Sequence, residues 1–122
     1  MSAPLRILDD RGADAVARLC EAIVPGSGRV GPVLYVDALL ARMDDGGRAA
    51  ALAAIEALDR ADLATHAGTP DFLLVRALVI EAYYSDFVAP GLDTHGAYAE
   101  IDFNSPLAER VRKDWSYLGI VA

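Results

Sequence analysis

Apolar residues recur every three or four positions along most of the first ninety residues, and the alternation typical of strands is not found there. A first helix is predicted from about Ala13 to Ile23, and Pro25-Gly26 ends it. A second helix begins at Pro32, and a third covers about Arg48 to Leu63. This periodicity predicts an all-α fold.

The fourth predicted helix has the clearest beginning. Thr69-Pro70-Asp71 supplies an N-cap threonine, a proline at the first helical position and an acid that favours the helix dipole. The helix is expected to run to about Phe87, and it is apolar nearly all round. Such a helix is typical of the middle of a bundle.

The region after the fourth helix is irregular. Pro90-Gly91 opens a loop of about fifteen residues, which is long for a compact domain. Ser105-Pro106 begins a last short helix, expected from Leu107 to about Trp115, and an apolar tail follows it. We therefore predict one four-to-five-helix domain, residues 1–122, with an irregular aromatic-rich C-terminal region.

Charge and composition exclude several classes of protein. The net charge is −7 and Lys113 is the single lysine, which argues against binding to nucleic acid or to an anionic membrane. The longest apolar run, Phe72 to Ile80, is too short to cross a bilayer and contains Arg76. The first residues carry no export signal, so we expect a cytoplasmic protein without membrane insertion.

Seven of the nine aromatic residues lie in the last third of the chain, from Tyr83 onward, mostly in segments broken by Pro, Gly and Asp. Such side chains either fold back over the helices or meet another chain, and Tyr and Trp suit a surface that a partner covers. We predict a partner interface in this region. Its candidate residues are Tyr83, Tyr84, Phe87, His95, Tyr98, Phe103, Trp115, Tyr117, Leu118 and Ile120.

The glycine-rich segment Gly26 to Gly31 matches G-x-G-x-x-G, the pattern of dinucleotide-binding loops. That motif binds pyrophosphate when a strand enters it and a helix leaves it. Here a helix is predicted to enter, and Pro25 precedes the first glycine. A loop between two helices is the better interpretation.

No other pattern predicts a catalytic, cofactor-binding or metal-binding residue in this chain. His66 and His95 lack a second ligand at a metal-like spacing, although His95 could reach the active site of a partner. The acids near the irregular loop, Asp86, Asp93, Glu100 and Asp102, are expected to be solvated or to cap turns. Cys20 stands alone, which excludes an internal disulfide.

Three segments are similar to a known family. The chain reads LCEAIVPGSG at 19–28, EAYYSDF at 81–87 and KDWSYLGI at 113–120. In this order they resemble the gluconate 2-dehydrogenase subunit 3 family, whose members are small helical partners of flavin-dependent glucose–methanol–choline-type dehydrogenases. The most specific parts are the I-V-P helix end, the pair Tyr83-Tyr84 and the aromatic-glycine ending from Trp115 to Gly119.

The resemblance implies that a large partner subunit carries FAD and performs the oxidation of a sugar, glycoside or alcohol. This chain would be a non-catalytic small subunit, and the family offers no catalytic motif to place on its residues. Many relatives carry a twin-arginine leader that this sequence does not show. That difference favours a cytoplasmic oxidoreductase with an electron acceptor other than a periplasmic cytochrome.

A second hypothesis remains open at this stage. The chain could instead be a stand-alone all-α adaptor module that binds an unrelated protein. The neighbouring gene discriminates between the two, because a large flavoprotein beside it supports the small-subunit hypothesis.

Overall fold

The computed structural model describes residues 4–100 and 115–120. Four helices of eleven or more residues, α1 to α4, are followed by the short helix α5. Their bounds are Asp10–Ile23, Pro32–Arg42, Asp45–Leu58, Pro70–Tyr84 and Ala97–Glu100. The described ranges contain no strand, and the predicted all-α fold is confirmed.

The helix beginnings follow from local side-chain caps. Asp9, Asp44 and Thr69 each accept a hydrogen bond from a backbone N–H in the first turn of α1, α3 and α4, respectively. The predicted start of α4 at Thr69-Pro70 is therefore confirmed. The predicted start of α3 at Arg48 was late, because Asp44 caps the helix before the two glycines.

The third and fourth helices both end earlier than predicted. Arg60 adopts a left-handed conformation with φ 63°, which stops α3 at Leu58, and a 3₁₀ turn at Leu63–His66 follows. Asp86, with φ 64°, similarly follows the end of α4 at Tyr84. The long predicted loop is shorter than expected, because α5 begins within it. Most of the predicted helix from Leu107 lies outside the described residues.

One hydrophobic core joins the four long helices. It contains apolar residues of the first three helices, including Val16, Leu19, Val36, Leu40, Ile55 and Leu58. Helix α4 packs against α2 and α3, and helix α1 also contacts α2 and α3. On the surface, Arg18 of α1 donates two hydrogen bonds to Asp59 at the end of α3, at 2.9 and 2.8 Å.

Helix α4 contacts α1, α2, α3 and α5, as expected of a helix in the middle of the bundle, but it is not buried on all sides. One face carries the buried residues Val75, Leu78, Val79, Ala82 and Tyr83. On the other face the side chains of Leu73 and Tyr84 are 54% and 48% exposed. Within the described ranges, none of the helices combines the length and apolar character that crossing a bilayer requires.

Candidate partner-binding surface

The structure separates the ten predicted interface residues into distinct environments. Tyr83, Phe87, Leu118 and Ile120 are buried within this chain. Their side chains contribute to its own hydrophobic core and leave little surface for a partner, and their role in an interface stays a prediction. Tyr98 and Trp115 are half-buried, and Tyr84, His95 and Tyr117 are exposed. Phe103 lies outside the described residues.

The segment 115–120, called here the tail turn, is attached to the helices through its buried side chains. It forms a 3₁₀ turn at Ser116–Leu118, and Leu118 and Ile120 pack into the main core. Gly119 has φ 79°, and a Cβ at this position would lie 2.6 Å from Nη1 of Arg6. The positive φ therefore favours glycine here, and a larger residue would also displace the flexible end of the Arg6 side chain.

Arg6 fixes the tail turn to the N-terminal segment. Its Nη2 donates a hydrogen bond of 2.7 Å to the carbonyl of Leu118. The backbone of Arg6 is itself fixed by Asp37, a buried residue in α2. The Asp37 carboxylate accepts three backbone N–H bonds, from Arg6 at 2.8 Å and from Ile7 and Leu8 at 2.9 Å. The buried Asp37 carboxylate thus positions residues 6–8, called here the N-terminal strap. Arg6 of this strap in turn holds the tail turn.

Tyr117 is exposed but constrained at three points. Arg42, at the end of α2, donates a hydrogen bond of 2.6 Å to the Tyr117 carbonyl and places its guanidinium 5.8 Å from the ring centroid. The Tyr117 hydroxyl also interacts with the phenol of Tyr35. The side chain is nonetheless 59% exposed. An aromatic ring is therefore presented to solvent with little conformational freedom left to lose.

Trp115 belongs to a cluster of three aromatic rings, together with Tyr35 and Phe87. Its ring centroid lies 5.9 Å from that of Tyr35 and 5.5 Å from that of Phe87, and Tyr35 and Phe87 are 5.1 Å apart. All three contacts are edge-to-face, the arrangement that aromatic quadrupoles favour. Burial, with a smaller contribution from Tyr117, raises the pKa of Tyr35 above its usual value, so this phenol stays protonated.

The glycine-rich loop lies between α1 and α2, as predicted, and its amide groups already bind a carboxylate. Glu21 accepts hydrogen bonds from the backbone N–H of Gly26 at 2.7 Å and of Gly28 at 3.0 Å. These bonds lower the pKa of Glu21. The Glu21 carboxylate therefore already binds two amide groups of the glycine-rich loop. The buried Ser27 hydroxyl donates to the Cys20 carbonyl at 2.9 Å and closes the loop onto α1.

The pair Tyr83-Tyr84 divides between core and surface. The two rings meet edge to face at 5.1 Å, and the Arg29 guanidinium lies 5.3 Å from the Tyr83 centroid. Tyr83 is buried with Val30 and Ala97 in a small second core. Beyond it, the Asp86 carboxylate accepts a hydrogen bond of 3.0 Å from the backbone N–H of Tyr98. That bond orders the chain around the exposed His95.

Among the described residues, no cluster of three or more His, Cys, Asp or Glu side chains could hold a metal ion. Cys20 is fully buried, and burial raises the pKa of its thiol to about 12. Tyr117 is the exposed aromatic residue whose position is fixed by Arg42, through a hydrogen bond to its carbonyl and a contact with its ring.

Comparison of the chain with protein-family models, with curated proteins and with solved structures finds no match. The resemblance described above therefore depends on the sequence segments that carry it.

Sequence reasoning missed the residues that support the tail turn. Asp37 gave one signal, since it is an acid between Val36 and Ala38 on an otherwise apolar stretch of a predicted helix. Arg42 gave another, as a cation in the last turn of that helix. Arg6 gave none, because its partner Leu118 is 112 positions away along the chain.

Proposed function

We propose that this chain is the non-catalytic small subunit of a flavin-dependent oxidoreductase. In this proposal it binds and stabilises a large subunit that carries FAD and oxidises a sugar, glycoside or alcohol. Its cytoplasmic location belongs to the same proposal. The observation that carries it is the exposed, preorganised Tyr117 on a turn anchored in the core.

The segments that resemble the small-subunit family converge in the fold, which supports the proposal. Val24, from the first segment, packs against the small core that contains Tyr83, from the second. Phe87, also from the second, contacts Trp115, from the third. The residues behind the resemblance therefore build the framework under the tail turn.

The physical chemistry of Tyr117 is that of an interface anchor. Tyrosine and arginine are enriched among the residues that dominate binding energy. A side chain that is already constrained loses less conformational entropy when it is covered, so more of its contact energy remains as affinity. The Tyr117 and Arg42 side chains together offer an apolar ring with a charged rim.

In this proposal the flavin belongs to the large subunit. The loop from Gly26 to Gly31 is consistent with that assignment, since Glu21 binds two of the amide groups that a phosphate would require. A small subunit of this kind acts on catalysis only through the fold of its partner.

Sequencing of the neighbouring genes, followed by co-expression with a large flavoprotein found there, tests the proposal. We expect the two chains to co-purify as a yellow complex, with FAD bound in proportion to the large subunit. The large subunit expressed alone should be less soluble or less saturated with flavin. If the two chains separate on a sizing column and the flavoprotein is fully loaded and active alone, the proposal is wrong.

A stand-alone adaptor is the second candidate function. The closed core of this chain favours it, because the described part buries its main apolar residues without a partner. An adaptor would not bind the flavoprotein in the same co-expression experiment.

A further inference from the structure

The exposed face of α4 carries an apolar stripe. Leu73, Ala77, Ile80 and Tyr84 follow one another at intervals of four, three and four residues. Leu73, Ala77 and Tyr84 are exposed and Ile80 is half-buried. This spacing places all four side chains on one side of the helix, as in the contact seam of a coiled coil. The four residues are called the α4 seam below.

We propose that the α4 seam binds the α4 seam of a second copy of this chain, with the two helices parallel and a two-fold axis running between them. Each layer then pairs a residue with its own counterpart. Leu73 meets Leu73 at one end, Tyr84 meets Tyr84 at the other, and Ala77 lies near the axis. The small Ala77 side chain permits the helices to approach closely there.

Two charged residues select this arrangement. Arg76 and Glu81 are exposed and flank the α4 seam on opposite sides. The described residues supply no ion-pair partner for either of them. Their spacing of five residues is the one that joins the two flanks across a parallel helix pair. Two symmetric ion pairs form, each from Arg76 of one copy to Glu81 of the other.

The opposite orientation lacks this complementarity. In an antiparallel pair, each flank of the seam faces the same flank of the second helix. Arg76 and Glu81 would then lie on different sides of the contact and could not pair. The charge pattern therefore specifies both a second copy as the occupant and the direction in which it binds.

The interface is expected to be weak. The α4 seam covers twelve residues, and the eleven steps of 1.5 Å between its ends give a length of roughly 16 Å. A contact of this length is at the low end of specific interfaces, so we expect a dissociation constant on the order of 10 µM. The net charge of −7 on each copy opposes association. Salt near 0.15 M screens that repulsion beyond about 8 Å.

This inference is independent of the proposed function. The α4 seam lies on α4, whereas Tyr117 is held by Arg42 at the end of α2. The self-association test uses the isolated chain and therefore needs no flavoprotein.

Sedimentation velocity of the full chain over a wide concentration series provides the first test. We expect a reversible monomer–dimer equilibrium that Ala77→Glu abolishes. The control Ala53→Glu, at an exposed position of α3, should leave the equilibrium unchanged. Circular dichroism confirms that both variants are folded. A wild-type chain that stays monomeric throughout, or that loses its dimer equally in both variants, overturns the proposal.

Charge exchange tests the ion pairs. Arg76→Glu alone and Glu81→Arg alone should each weaken the dimer about tenfold, because attraction becomes repulsion at two places. The double variant Arg76→Glu/Glu81→Arg should restore the wild-type constant. An equimolar mixture of the two single variants should form a heterodimer in preference to either homodimer. If the double variant dimerises no better than the single variants, the proposed pairing is wrong.

Disulfide formation tests the direction of the helices. In the parallel dimer, two copies of Leu73→Cys lie at the same level and should give a covalent dimer under mild oxidation. In an antiparallel dimer, Leu73 would instead face Tyr84. The control Ala53→Cys should form no covalent dimer under the same conditions, and the native Cys20 is fully buried. A failure of Leu73→Cys to cross-link at concentrations where the chain is dimeric refutes the parallel arrangement.

Discussion

Replacement of Asp37 tests how the N-terminal strap is attached. Its buried carboxylate accepts N–H bonds from Ile7 and Leu8 on Oδ1 and from Arg6 on Oδ2. Asp37→Asn keeps an oxygen acceptor for the N–H groups of Ile7 and Leu8 but presents an NH₂ group to the N–H of Arg6. Asp37→Ala leaves all three N–H groups without their acceptor.

The expected magnitudes follow from the number of bonds lost. A hydrogen bond to a charged group contributes about 1.5–3 kcal/mol, so Asp37→Asn should cost about 2 kcal/mol of unfolding free energy. Asp37→Ala should cost about 4 kcal/mol, since water can partly replace the acceptor at the strap. At about 4 °C per kcal/mol for a domain of this size, Tm should fall by roughly 8 and 16 °C.

Urea and thermal unfolding, followed by circular dichroism, measure these losses. Asp93→Asn, at an exposed position, provides the matched control and should change the unfolding free energy by less than about 0.5 kcal/mol. Trp115, the single tryptophan, gives a second readout. Because Arg6 connects the strap to the tail turn, the Asp37 variants should shift Trp115 fluorescence to the red. An Asp37→Asn variant as stable as the control would refute this account of the strap.

Three further predictions concern the first helix and the loop after it. The Cys20 thiol, fully buried with a pKa of about 12, should react with a disulfide reagent only in denaturant. The backbone N–H bonds from Gly26 and Gly28 hold the pKa of Glu21 below its ordinary value, so its contribution to stability is present above that ordinary value and is lost as the pH falls through the folded pKa. Acid titration of Glu21→Gln should therefore show a smaller loss of stability at acidic pH than the wild type. Gly31→Ala should lower the unfolding free energy by about 1–3 kcal/mol in urea, because φ is 68° and the new Cβ would lie 2.8 Å from that of Ala89. Wild-type stability in Gly31→Ala would show that the loop relaxes freely.

The parts of the fold that the sequence predicts well are those fixed by neighbouring residues. Thr69 and Pro70 determine the start of α4, and Pro32 determines that of α2, through caps and fixed backbone angles. The end of α3 was missed because Arg60 adopts a left-handed conformation that few non-glycine residues take. Such a conformation depends on the tertiary surroundings rather than on local propensity.

Burial was the harder property to predict. An apolar composition all round α4 does not show which face the other helices cover, and the structure leaves Leu73 exposed. In the same way, the C-terminal aromatic residues were recognised as one group. Within and after the 3₁₀ turn at Ser116–Leu118, Tyr117 is exposed, whereas Leu118 and Ile120 are buried. Contacts between distant parts of the chain decide both outcomes.

The affinity of the purified large flavoprotein for this chain, compared with that for Tyr117→Ala, tests the central claim most directly. Truncating an aromatic anchor typically costs about 2 kcal/mol, so titration calorimetry should show roughly thirtyfold weaker binding. The Tm of the variant should be unchanged, and Leu73→Ala, which truncates an equally exposed side chain on α4, should bind as the wild type does. Equal affinity of Tyr117→Ala and the wild type would contradict the account, as would binding lost only together with the fold.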